Sequence, residues 1–135
     1  MNEIIRPLIV VADDDRDICG LVKMQLTRHG FEVIVADNGE TALELIGLHR
    51  PVVVLLDIMM PKLSGLDVAR RIRNDPATSQ TGIIMFSARS TFGSEGDVDE
   101  IGVDDYITKP FSPQDLLQRV NGVIDRRNTN KSTQQ

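Results

Sequence analysis

Short apolar runs alternate along the chain with segments whose apolar residues recur at helical spacing, and that alternation allows few folds. Strands and helices that follow one another in turn bury their apolar faces together when the strands pair in parallel and the helices cover both sides of the sheet. Five such units are legible. Leu8 to Ala12 is the first strand; Ile18, Leu21, Val22 and Leu26 then recur at helical spacing behind Asp15 as N-cap, until Gly30 stops the turn. Glu32 to Ala36 is the second strand, and Asn38 caps a helix that carries Ala42, Leu43 and Ile46 inward before Pro51 ends the unit. Val52 to Leu56 is a run of five apolar residues, three of them valine. It suits a central strand buried on both faces and delivers Asp57 at its carboxyl end.

A loop through Pro61 and Gly65 leads into a helix with Leu66, Ala69 and Ile72 inward, and Gly82 to Phe86 forms the fourth strand, with Ser87 directly after it. Tyr106 to Thr108 is a short last strand. Lys109-Pro110 follows, then a helix with Ser112 as cap, Pro113 at its first position and Asp115 near a capping-box place. Leu116, Leu117, Val120, Val123 and Ile124 are its buried stripe. Ser90 to Ile101 should hold the fourth of five helices, short or frayed, because Gly93 and Gly96 leave Phe92, Val98 and Ile101 as its anchors. These units make one domain over residues 6–127, and the polar, aperiodic stretch 128–135 reads as a tail or truncated linker.

Composition narrows the function. A net charge of −5 over 135 residues lacks the basic footprint of a nucleic-acid reader, so no direct contact with nucleic acid is expected. The single cysteine, Cys19, rules out an intrachain disulfide framework or a zinc site and fits a reducing cytoplasm. No apolar run is long enough to cross a bilayer, and no membrane association is expected. Cys19, His29 and His49 have no adjacent partner motif and read as structural or surface residues.

In an open, doubly wound sheet, ligands bind beyond the carboxyl ends of the strands, where the strand order reverses. The first strand brings Asp13 and Asp14 there, the third Asp57, the fourth Ser87 and the fifth Lys109. Crowded carboxylates repel one another, and a hard divalent ion relieves the repulsion while accepting phosphate oxygens; magnesium is the natural choice, with manganese as the alternative. A carboxylate can act as nucleophile toward phosphorus, and phosphoryl transfer asks the protein mainly for positioning and charge neutralisation. Asp57 is accordingly the candidate nucleophile. Asp14 is a direct metal ligand, Asp13 a ligand through water, and Asp57 and the Met59 carbonyl are further metal contacts. Ser87 and Lys109 would hold phosphoryl oxygens.

Each residue also has a plainer reading. Asp13, Asp14 and Asp15 could form a solvated turn with a helix cap; Asp57 could be a turn residue, Lys109 a surface charge, Ser87 a cap and Tyr106 a static core aromatic. Random turns rarely align on one rim, and that alignment favours the chemical reading.

Val-Val-Ala-Asp13-Asp14-Asp15, Leu-Leu-Asp57-Ile-Met-Met-Pro61, Gly65, Phe-Ser87-Ala88-Arg89 and Asp104-Asp105-Tyr106-Ile-Thr-Lys109-Pro110-Phe111 resemble, in order and spacing, the receiver domains of two-component response regulators. The resemblance spans roughly residues 6–127. It implies a flavodoxin-like α/β fold with five parallel strands in the order 2-1-3-4-5, phosphorylation at Asp57 by a histidine kinase or phosphotransfer protein, and a cis Lys109-Pro110 bond that directs the lysine into the site. It also implies a switch in which Ser87 and Tyr106 move inward. They would reshape the face of the fourth helix, fifth strand and fifth helix, where a second copy or an output partner would dock. Met59 and Arg89 stand where relatives tune phosphoryl lifetime.

Ser87 replaces the commoner threonine, keeping the hydroxyl and losing a methyl group. Gly82 stands where many relatives have proline. Among rival readings, an aspartate-nucleophile phosphatase would carry its nucleophile after the first strand. A flavin carrier would need a hydroxyl-rich loop where three aspartates stand. A degenerate receiver that only binds partners would have lost site residues that are intact here.

Overall fold

The computed structural model describes residues 6–88 and 101–133, with backbone alone for residues 87–88 and 130–133. Five parallel strands, β1 (Leu8–Ala12), β2 (Glu32–Ala36), β3 (Val53–Asp57), β4 (Gly82–Ala88) and β5 (Asp105–Lys109), form one sheet in the order β2-β1-β3-β4-β5. Four helices stand among the described residues: α1 (Arg16–Arg28), α2 (Gly39–His49), α3 (Gly65–Asn74) and α4 (Pro113–Thr133). Five were expected; the missing one, over 90–101, lies outside the described residues except for its last, Ile101, which is buried. Gly93, Gly96, Phe92, Val98 and Arg89 lie outside with it.

Strand alternation sorts the core into two layers. Ile9, Val11, Val53, Leu55, Ile84 and Phe86 face Cys19, Val22 and Leu26 of α1 and Leu116, Val120 and Val123 of α4. Val10, Ala12, Val54, Leu56, Ile83 and Met85 face Ala42 and Ile46 of α2 and Val68, Ala69 and Ile72 of α3. Every residue of β3 is buried, which is why Val53 to Leu56 is a continuous apolar run and not an alternating one.

The expected caps Asp15, Asn38 and Ser112 act at their helix starts, and Ser64, not singled out in the sequence, caps α3. Asp15 accepts from the Asp17 and Ile18 amides, Asn38 from Thr41, Ser64 from Asp67 and Ser112 from Asp115. Three expectations shift. Leu21 is 41% exposed, and Cys19 takes its place on the inner stripe of α1. Val52 precedes β3 and is 44% exposed, although its amide and carbonyl bond Leu8 and Gly82 at the amino end of the sheet. The last helix does not stop at Arg127 but continues to Thr133. Propagating a helix costs far less than nucleating one, and its far end is tied down by Arg127, whose guanidinium bonds Asp104 at 3.0 and 3.1 Å. Among the described residues no helix is long and apolar enough to cross a membrane.

Candidate functional site

The chain runs from β1 outward to β2 and then returns to β3 on the other side, so a crevice opens where β1 and β3 end. Asp13 and Asp14 follow β1 directly and Asp57 is the last residue of β3, and one carboxylate oxygen from each falls within 4.8 Å of the others. Lys109, the last residue of β5, reaches in from the other side, with Nζ 2.5 Å from Asp13 Oδ2 and 3.5 Å from Asp57 Oδ2. The peptide bond from Lys109 to Pro110 is cis. The lysine ammonium also lies 4.9 Å from the centroid of the Phe86 ring, which Phe111 meets edge-on at 6.1 Å.

The carboxylates differ in environment. Asp13 is fully buried; its Oδ1 accepts the Asp15 amide at 2.9 Å, and its backbone carbonyl takes the Cys19 thiol at 3.2 Å. Asp14 is exposed. Asp57 is 5% exposed, and its Oδ1 accepts the Met59 amide at 3.3 Å. Burial, followed by the adjacent Asp13 charge, pushes the Asp57 carboxyl from 3.8 up to about 6, against the opposing pull of Lys109 and the Met59 N–H. Burial alone would lower the Lys109 pKa, but its hydrogen bond and charge pairing with Asp13, aided by the Asp57 charge, hold it above its usual value. Burial raises the Cys19 thiol to about 11, which makes it a packing residue rather than a nucleophile.

Three convergent oxygen donors, two of them buried, form a set that a hard dication fits. Met59 is 65% exposed beside Asp57. The backbone of Ser87 lies at the same rim, paired with Thr108 of β5, one residue beyond Phe86, which registers against Asp57. Tyr106 is half-buried on β5 against the α2 and α3 layer.

Two neighbours of the site were not legible in advance. Phe86 read as one more apolar strand residue, and nothing local marks its ring as a neighbour of the lysine. Asp37 follows the second strand and lines, with Asp13, Arg16 and Thr41, a hollow of about 470 Å³ beside the carboxylates. Asp37 is exposed and held by Asn38 Nδ2 at 2.8 Å, outside the convergent cluster.

A family profile described as the response regulator receiver domain matches residues 9–121. The transcriptional regulatory protein CpxR of Escherichia coli K12 is 42% identical over 121 residues, which cover 87% of this chain and 49% of CpxR. The phosphate regulon transcriptional regulatory protein PhoB of Pseudomonas aeruginosa is 37% identical over 118 residues, 87% of this chain and 52% of PhoB. The chain thus spans about half the length of the curated relatives it matches. The solved receiver domain of the Francisella response regulator 1452 superposes with a TM-score of 0.80 at 35% identity, covering 90% of this chain and 98% of that one.

Proposed function

Since the chain belongs to the response regulator receiver family, the signalling switches of two-component systems, we propose that Asp57 is its phosphoacceptor and that Asp13 and Asp14 hold magnesium beside it. The observation that carries this reading is the convergence of Asp13, Asp14 and Asp57 within 4.8 Å under the Lys109 ammonium.

In the proposed reaction an ionised Asp57 oxygen attacks the phosphorus of the donor, a phosphohistidine or a small acyl phosphate. The new O–P bond forms as the bond to the leaving group breaks, and the leaving group departs with that electron pair. Bound magnesium would supply charge neutralisation to the transferred oxygens, with Met59 offering its carbonyl as a further ligand. Asp57 sits at the end of a fully buried strand, so its carboxylate meets the donor without reorganising. Lys109 is tethered to Asp13 and can pass to a phosphoryl oxygen with little motion. The Ser87 hydroxyl binds a second oxygen, and Tyr106 follows it inward, altering the face that β5 and α4 present to an output partner or a second copy. Met59, exposed beside Asp57, would set the lifetime of the phosphoryl group together with Arg89. The kinase or phosphotransfer partner approaches from the open side of the crevice, in the cytoplasm.

Incubation with acetyl phosphate and magnesium, followed by intact-mass measurement, tests this. One added phosphoryl group is expected in the native chain and none in Asp57→Asn. A chain that stays unmodified at saturating donor and metal would overturn the assignment.

A further inference from the structure

We propose that Gly39, the first residue of α2, and Gly65, the first residue of α3, are positioning residues that clamp the 58–64 loop and thereby hold Asp57 and Met59 in place; this rests on Asp57 being the acceptor. A methyl group on Gly39 would overlap the Leu63 carbonyl oxygen and come within 2.6 Å of Leu63 Cβ and 2.8 Å of its carbonyl carbon. A methyl group on Gly65 would overlap the carbonyl oxygen of Asp57 itself and come within 2.8 Å of the Asp57 carbonyl carbon. Both obstacles are backbone, which cannot swing aside as a side-chain tip does.

The loop between these contacts is drawn tight. The Leu63 amide donates to the Pro61 carbonyl at 2.9 Å, the Gly65 amide to Ile58 at 2.9 Å, and Lys62 takes a positive φ of 72°. Met59, the second residue of the loop, donates its amide to Asp57 Oδ1. Two helices therefore press on the two ends of one short connection, α2 on Leu63 within the loop and α3 on the Asp57 carbonyl just before it, at places where a methyl group would meet backbone. Gly39 touches none of the reacting groups, yet its missing side chain sets how close α2 sits to the loop that carries Met59.

The control is Gly82, where a methyl group would meet Val123 Cγ1 at 2.6 Å and Val53 Cγ2 at 3.1 Å, at the opposite end of the sheet. Gly39→Ala should lower the initial rate of acetyl-phosphate-dependent phosphorylation about tenfold or more and raise the magnesium concentration for half-saturation. Gly82→Ala should retain the native rate per folded molecule. A Gly39→Ala rate within about twofold of native at unchanged magnesium dependence would overturn the clamp, as would an equal loss in Gly82→Ala. Amide hydrogen exchange on the native chain gives a second test that depends neither on the variants folding nor on phosphorylation. Leu63 and Gly65 should exchange at least about a hundredfold more slowly than free peptide, and unprotected exchange at both would end the proposal. If the native chain takes no phosphoryl group while these amides are protected, the acceptor assignment fails and the clamp on the loop stands.

Discussion

Lys109 Nζ stands 2.5 Å from Asp13 Oδ2, an ammonium held in the same cluster of carboxylates that a dication would enter. Two cations drawn to one set of oxygens compete. Lys109→Met should therefore bind magnesium more tightly, by about tenfold in titration calorimetry, while its phosphorylation rate falls by about a hundredfold for want of a charge on the phosphoryl oxygens. In chelator the same variant should lose about 1–3 kcal/mol of stability, because buried Asp13 keeps its charge without its partner. Unchanged or weaker metal affinity would show that the lysine and the metal do not share these oxygens.

The raised Asp57 carboxyl makes stability depend on pH. Its pKa is about 6 in the folded chain against 3.8 for the free group, so between those values the folded state binds more protons than the unfolded. This contribution is complete below the lower value and is lost as pH rises through the upper. At ~1.4 kcal/mol per pH unit the loss is at most about 3 kcal/mol. In chelator, Asp57→Asn should be more stable than the native chain at about pH 7.5 and should lose that advantage by about pH 4. Urea titrations at both values check it, and a pH-independent difference would contradict it.

Asp104 joins four parts of the fold away from the site. Its carboxylate accepts the Ile83 amide at 2.8 Å, Arg73 at 3.0 Å and Arg127 at 3.0 and 3.1 Å. Arg73 in turn donates to the carbonyls of Ser79, Thr81 and Gly102. Asp104→Ala leaves a strand amide without its acceptor and two guanidiniums without their carboxylate and should cost about 2–4 kcal/mol, whereas Arg127→Ala should cost about 1 kcal/mol. Thermal unfolding measures both. Equal effects would mean that Asp104 acts only through the last helix.

Two glycines should respond to alanine with opposite signs. Gly47 lies within α2 with open space around it, so Gly47→Ala should stabilise by about 0.5–1 kcal/mol. Gly30 has equal room but a φ of +91°, so Gly30→Ala should destabilise by about 1 kcal/mol. Chemical denaturation resolves the two.

Much of this was readable from local patterns. The first two strands, the caps at Asp15, Asn38 and Ser112, and the inner stripe of the last helix stand where the sequence puts them, because each depends on neighbours a few residues away. Where the reading failed, a distant partner decided. Val52 looked like the start of β3, but sheet pairing begins at Val53. Residues after Arg127 looked aperiodic, and a bond from Arg127 to Asp104, 23 residues earlier, anchors the helix there. No local signal marks the Phe86 ring as lying beside the Lys109 ammonium.

The sequence by itself determined the alternation of strands and helices, the parallel sheet and the polar residue types at the strand ends, since periodicity and residue chemistry are local properties. Only the tertiary structure decided which of those residues form one site: Asp13, Asp14, Asp57 and Lys109 converge while Asp37 stays apart. It also decided that burial and Asp13 raise the Asp57 pKa, and that Gly39 and Gly65 lie against the backbone beside it. Distances between residues far apart in the chain, and the burial that magnifies their charges, exist only once the sheet has brought the strand ends together.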